Sequence, residues 1–107
     1  MNDLKEKIFR FENLIEYSDG SIVSKQILTK STGNITLFSF DMGQNLSEHT
    51  APFDALVQLI DGSAEITING KDYILFKGDS IIMPANLPHS IKAIEKFKML
   101  LTMIKSN

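Results

Sequence analysis

The sequence predicts an all-β protein, a single-domain antiparallel β-barrel, and three observations carry this prediction. Short runs rich in β-branched and aromatic residues fill most of the chain, which is the composition of strands. Its 107 residues suffice for one hydrophobic core. Turn signals also recur at short intervals, at Asp19-Gly20, Thr32-Gly33, Asp61-Gly62, Asn69-Gly70, Lys77-Gly78 and Pro84-Ala85. We therefore expect residues 1–107 to form one domain, with residues 1–20 as an N-terminal edge segment and residues 35–104 as the barrel.

Individual strands are predicted from alternation and from the turns that bound them. Residues 64–68 alternate, with alanine and isoleucine on one face and Glu65 and Thr67 on the other. Asn69-Gly70 suits a tight hairpin, because both residues tolerate a positive φ. The remaining predicted strands cover residues 35–40, 73–76, 80–83, 90–94 and 97–104.

The N-terminal segment fits two periodicities. Leu4, Ile8, Phe11 and Ile15 share one helical face, whereas Phe9 and Phe11 alternate as in a strand. We expect a short strand followed by a helical turn. This segment either packs on an edge of its own barrel or exchanges with a second subunit to cover an exposed sheet edge. Its apolar face favours a homodimer.

Composition excludes several classes of function. The formal net charge is −2 and no basic stripe is present, so we expect no nucleic-acid partner. The absence of cysteine rules out disulfides and thiolate chemistry and fits a reducing compartment. The longest nearly apolar run, residues 99–104, is far too short to span a bilayer. The predicted protein is soluble and cytoplasmic, with no membrane partner.

Two spaced motifs contain the only histidines, His49 and His89. Gly43 is followed by five residues and then His49, and Gly62 closes that stretch. Gly78 is followed by five residues and Pro84, with His89 five positions later. With these anchors, the region from Ile35 to Ile104 resembles the small single-domain cupins, whose fold is a double-stranded β-helix or jelly roll of the RmlC-like type.

The chain departs from the motifs of that family at the metal ligands. The resemblance implies a site of three histidines and one glutamate, but the second histidine position is Ala51 and the glutamate position is Ala55. In the second motif, the inner glycine is Asn86 and the final asparagine is Ala93. The implied metal site is thus reduced to His49 and His89. We expect it to hold either a weakly bound divalent ion (zinc, nickel, iron or manganese) or no cofactor.

A ligand pocket is the alternative use of the same positions. Strand alternation places small or apolar residues on the His49 side and Asp54 on the other side, from which only a bulge would turn it inward as a further ligand. The resemblance implies that the two histidines meet across the barrel interior, because the family's two motifs lie on neighbouring strands. The alternative is that backbone carbonyls alone satisfy them. The predicted ligand-binding residues are His49, His89, Ala51, Ala55, Val57, Phe40 and Ile91. The methionines and phenylalanines of the barrel are expected to be mostly core.

Three functions follow from this pattern, in decreasing order of preference. The first is a binding module that holds a small organic molecule without chemistry. The second is an enzyme of isomerase, lyase or dioxygenase type, using a metal or the two imidazoles as acid and base. The third is a sensor domain of the type fused to regulators, although the sequence contains no helix-turn-helix. Whether the protein is an enzyme stays open at this point.

Overall fold

The computed structural model describes residues 4–105, which fold into two antiparallel sheets that share one long strand. No helix in this part of the chain is long and apolar enough to cross a membrane. The strands in chain order are β1 (Ile22–Lys30), β2 (Gly33–Phe40), β3 (Asn45–His49), β4 (Phe53–Ile68), β5 (Lys71–Phe76), β6 (Ser80–Met83), β7 (His89–Lys92) and β8 (Phe97–Lys105). The predicted all-β jelly roll is confirmed.

Strand β4 connects the two sheets because its halves pair with different neighbours. Its first half lies between β8 and β6, in a sheet ordered β1-β2-β8-β4-β6, here called sheet A. Its second half lies between β5 and β7, in a sheet ordered β5-β4-β7-β3, here called sheet B. The main core fills the space between the sheets, and Phe40, Val57, Ile66, Phe97 and Met99 are fully buried there.

The change of sheet occurs at Asp61-Gly62, which the sequence analysis treated as a turn. Here the prediction was wrong, because β4 continues through both residues and its register against β8 shifts between Leu59 and Asp61. A β-bulge of this kind bends a strand without ending it. Gly62 has φ +75°, and a Cβ at this position would lie 2.0 Å from the carbonyl oxygen of Lys96. Only glycine permits the close approach to β8 that accompanies the bend.

Two strands were not predicted at all. Both β1 and β3 are edge strands, and most of their side chains are exposed or only half-buried. Polar side chains on such strands remove the alternation from which strands are predicted. The N-terminal prediction was half right: a 3₁₀ turn forms at Phe11–Asn13, but no strand precedes it in residues 4–10.

The N-terminal segment packs on the outer face of sheet A. Ile15 is buried there against Leu37 and Leu100, with Phe11 and Leu14 packed beside them. Backbone groups fix the segment as well, since Ser39 donates its hydroxyl to the carbonyl of Glu16 at 2.8 Å. The helical face predicted for this segment is therefore buried only in part, because Phe11 and Ile15 pack on sheet A whereas Ile8 is fully exposed.

Candidate functional site

Neighbouring strands of sheet B bring the two histidines together. His49 is the last residue of β3, His89 is the first residue of β7, and the two are paired in register. On its other side, His89 lies opposite Ile68 of β4. The segment after β3 and the loop before β7 therefore flank the site, because β3 ends and β7 begins at the same end of the sheet.

The imidazole rings face each other at hydrogen-bond distance. Their Nε2 atoms are 3.1 Å apart, and the ring centroids are 4.3 Å apart with the planes inclined by 68°. The prediction that residues separated by 40 positions meet is confirmed. The two rings differ in environment, since His89 is only 7% exposed whereas His49 is exposed.

Backbone carbonyls fix the orientation of both rings. The Nδ1 atom of His49 lies 2.8 Å from the carbonyl oxygen of Ser47, and that of His89 lies 3.2 Å from the carbonyl oxygen of Leu87. A carbonyl oxygen only accepts hydrogen bonds, so each Nδ1 must carry the proton. The 3.1 Å contact between the two Nε2 atoms is a hydrogen bond when one of them also carries a proton, and a bound cation or donor would take the place of that proton. Such a pair is arranged to receive a cation or a hydrogen-bond donor.

The loop that precedes His89 is fastened to the segment that follows His49. The backbone N–H of Ala85 donates to Asp54 Oδ1 at 2.9 Å, and the N–H of Asn86 donates to the carbonyl of Ala51 at 2.8 Å. Asn86 adopts φ +67°, in the left-handed region that asparagine tolerates better than most residues. Asp54 therefore holds this loop from the exposed side of β4. The sequence analysis considered Asp54 as a further ligand if a bulge turned it inward. In the structure Asp54 instead accepts the N–H of Ala85 on the exposed side of β4.

An apolar cavity of about 60 Å³ opens beneath the two imidazoles, between the sheets. Of the predicted ligand-binding residues, Ala51, Ala55 and Ile91 line it together with both histidines. Among residues 4–105, the two imidazoles are the only ionisable side chains in this wall. The sequence analysis did not assign the remaining lining residues to the pocket, and these are Leu46, Phe53, Met83, Met99, Leu101 and Met103.

Two residues predicted for the pocket lie outside its wall. Phe40 and Val57 are completely buried in the main core, and Phe40 stacks on Phe97 with centroids 4.5 Å apart. Alternation correctly predicted that both side chains point into the barrel. It does not tell whether an inward side chain lines a cavity or packs in the core. For one cavity methionine the sequence does contain a signal that could have placed it at the site. Met83 immediately precedes the loop that presents His89. Met42, grouped with the core in the sequence analysis, is 66% exposed.

Burial lowers the pKa of His89, because the charged imidazolium loses its hydration. A charge on the neighbouring His49 lowers this pKa further, whereas the hydrogen bond to the Leu87 carbonyl opposes the shift. The buried ring therefore favours its neutral form near neutral pH. In that form its Nε2 atom is an acceptor.

The donor set does not fit a complete site for zinc, iron, nickel or manganese. Within residues 4–105, no group of three His, Cys, Asp or Glu side chains could hold a metal ion. Catalytic zinc takes three protein ligands, and oxygenase iron takes two histidines with a carboxylate. The two nitrogens do converge as ligands would. At metal–nitrogen bonds of about 2.0–2.1 Å, their separation corresponds to an angle of roughly 100° at a shared ion.

Comparisons with known proteins agree with this architecture. A family model described as a cupin domain matches residues 36–105. A conserved protein of unknown function from Streptococcus pyogenes is 34% identical over 99% of this chain and 94% of its own, with a TM-score of 0.92. A cupin 2 conserved barrel domain protein from Leptotrichia buccalis is 42% identical over 91% of this chain and 47% of its own, with a TM-score of 0.88. A cupin superfamily protein from Desulfitobacterium hafniense is 27% identical over 95% of this chain and 93% of its own, with a TM-score of 0.87. No curated protein matches.

Proposed function

The chain belongs to the cupin family, and we propose that it is a small-molecule-binding protein whose ligand occupies the cavity beneath His49 and His89. One observation carries the proposal: two imidazoles from separate strands turn their Nε2 atoms to one point, 3.1 Å apart, above an apolar cavity. Ligand sites are typically apolar clefts with a few convergent polar groups. Simple core packing does not require two histidines to face each other.

The wall indicates what kind of molecule fits. The cavity is small, and aliphatic, aromatic and methionine side chains make up the wall apart from the two imidazoles. The ligand is therefore a compact molecule with an apolar body and one polar end, and the polar end lies at the Nε2 atoms. Alanine at positions 51 and 55 leaves the space that longer side chains would fill.

Methionine methyl resonances offer a direct test, because the cavity wall contains three methionines, whereas Met42 does not line it and is mostly exposed. The protein labelled at its methionine methyl groups is titrated with probes small enough for the cavity: ethanol, ethylamine, acetate and acetamide. We expect at least one probe to shift the resonances of Met83, Met99 and Met103 while that of Met42 stays in place.

Variants of the histidines decide whether such binding uses the proposed site. His49→Ala and His89→Ala should each weaken binding of that probe by about ten-fold, the loss of one hydrogen bond in a buried site. Circular dichroism should show that both variants keep the β fold. Probe binding that is unchanged in both variants, or a wild-type protein that binds none of the four probes, would refute the proposal.

An enzyme is the second candidate, and the contact between the two imidazoles favours it. One Nε2 atom can hold a proton while the other accepts it, at the wall of an apolar cavity, as acid–base proton transfer in an isomerase or lyase requires. A dioxygenase fits less well, because a divalent ion would have only two protein nitrogens to anchor it. A weakly bound divalent ion therefore stays a prediction for this protein.

Assembly and location also remain predictions. A groove of about 250 Å³ crosses the outer face of sheet A, and Leu28 and Ile104 on its wall are 39% and 63% exposed. This apolar surface supports the predicted homodimer, which sedimentation at micromolar concentration would reveal. A cytoplasmic location without nucleic-acid or membrane partners is likewise inferred from composition alone.

A further inference from the structure

The hydrogen bonds of the two imidazoles leave no ring N–H group free for a ligand. Each Nδ1 atom donates its proton to a backbone carbonyl, that of Ser47 for His49 and that of Leu87 for His89. A further proton on either Nε2 atom lies between the rings, because these two atoms are only 3.1 Å apart. With or without that further proton, every ring N–H therefore has a partner within the protein.

The cavity consequently offers hydrogen-bond acceptors and no free donor. An Nε2 atom without a proton accepts a hydrogen bond, and the pair always contains at least one such atom while the rings are in contact. Among residues 4–105, the other side chains in the cavity wall are aliphatic, aromatic or thioether groups, none of which donates a hydrogen bond. A ligand in this cavity must therefore supply the N–H or O–H group itself.

Oxygen acceptors do not match this wall. A carboxylate or ketone oxygen only accepts hydrogen bonds, so it would have to take a ring proton away from a carbonyl or from the other ring. The group that lost its partner would then remain unsatisfied in a partly buried site, which lowers the affinity. The wall therefore disfavours carboxylates and ketones as the polar end of the ligand.

A nitrogen with two or more N–H groups does match it, because it can donate to both Nε2 atoms. The rings must separate to admit such a group. His49 has space to move, since it is exposed and ends β3 at the edge of sheet B. A protonated amine also brings the charge that the proton between the rings would supply. The charge of the site therefore stays the same when the amine takes the place of that proton.

We propose that the cavity selects molecules whose polar end is a primary amide or primary amine nitrogen, which donates to the Nε2 atoms of His49 and His89. This inference rests on the proposed function and deepens it, because that function leaves the kind of polar end open. It assigns the direction of the hydrogen bonds: the protein accepts and the ligand donates. The apolar body of the ligand lies in the cavity beneath the rings.

Acetamide and acetone provide the sharpest comparison, because both are neutral and similar in shape, and only acetamide has N–H groups. Each is titrated into the full chain labelled at its methionine methyl groups, and the shifts of Met83, Met99 and Met103 report the affinity. Apolar burial alone would favour acetone, which is the less polar molecule. We expect acetamide to bind about ten-fold more tightly, the gain from a hydrogen bond to an acceptor in the wall. Acetate, which has the same shape but only acceptor oxygens, should bind more weakly than acetamide.

Variants on strand β3 separate the hydrogen bond from packing. His49→Ala removes one acceptor, so it should lower the affinity for acetamide while acetone binds at least as well as before. Leu46→Ala is the matched control, because Leu46 lies on the same strand and lines the same cavity without a polar group. It should change the affinities for both probes alike and keep the preference for acetamide. Circular dichroism should show the same β fold in both variants.

Two results would overturn this assignment of hydrogen-bond direction. One is an affinity for acetone or acetate equal to or above that for acetamide. The other is a preference for acetamide that survives in both His49→Ala and His89→Ala. If acetone or acetate still shifts the cavity methionines and the histidine variants weaken that binding, the proposed function stands and this inference fails alone. If no probe moves these resonances, both fail together.

Discussion

At the scale of single residues, Tyr17 is a titratable side chain with a structural role, because it connects the N-terminal segment to strand β4. Its hydroxyl donates to Asp61 Oδ2 at 2.6 Å, and the ammonium groups of Lys96 and Lys98 lie 4.8 and 5.1 Å from the ring centroid. Burial, the hydrogen bond to Asp61 and the charge of Asp61 all raise the pKa of Tyr17. This cluster ties the N-terminal segment to the bulge in β4.

A raised pKa in the folded state has a defined consequence for stability. Below about pH 10 the tyrosine is protonated in both states, so its contribution is complete. Above that pH the unfolded chain releases the proton while the folded protein retains it, and stability falls as the pH rises.

Replacing Tyr17 with phenylalanine should therefore change the pH dependence as well as the stability. At neutral pH we expect Tyr17→Phe to lower the free energy of unfolding by about 1 kcal/mol, the value of a hydrogen bond in a partly exposed site. Urea denaturation from pH 8 to 11 should show the two proteins converging as the pH rises. Parallel curves would contradict the proposed role of the hydroxyl.

At the scale of elements, the important contact joins the loop before β7 to strand β4. Asp54 accepts the N–H of Ala85, which holds the loop that presents His89. This carboxylate lies on the exposed side of its strand and does not line the cavity. Any effect of Asp54 on binding must therefore act through the position of His89.

Asp54→Ala should weaken probe binding at the cavity without unfolding the protein. Loss of one hydrogen bond, about 1 kcal/mol, corresponds to an affinity roughly five-fold lower. Asp54→Asn is the matched control, because its amide oxygen still accepts from Ala85, and it should bind close to the wild type. Equal affinities for Asp54→Ala and the wild type would show that the loop holds His89 without this contact.

At the scale of the whole molecule, alternation in residues 64–68 and the recurring turn signals predicted the fold class. The meeting of the histidines was predicted through the family resemblance, which the spacing of His49 and His89 from Gly43 and Gly78 identified. The edge strands β1 and β3 were not predicted, because their polar side chains remove the alternation of apolar and polar residues. The bulge at Gly62 was not predicted, because the sequence does not distinguish a glycine that bends a strand from one that ends it.

The site was predicted less completely than the fold. Alternation tells which side chains point inward, and Phe40 and Val57 do so, but packing at one end of the barrel decides which of them line a cavity. Met83 of β6 and Met103 of β8 reach the site through pairing with Ala55 of β4. Such long-range register cannot be deduced from the local pattern of either strand.

The central claim is that His49 and His89 form one site in the cavity wall, with their Nε2 atoms turned toward each other. A long-range proton–nitrogen correlation spectrum of the nitrogen-15-labelled protein tests it most directly, because the chain has only two histidines and His49→Ala assigns them. The account predicts that both rings carry a proton at Nδ1 and that nuclear Overhauser contacts join the rings. A ring protonated at Nε2 alone, or two rings without mutual contacts, would contradict it.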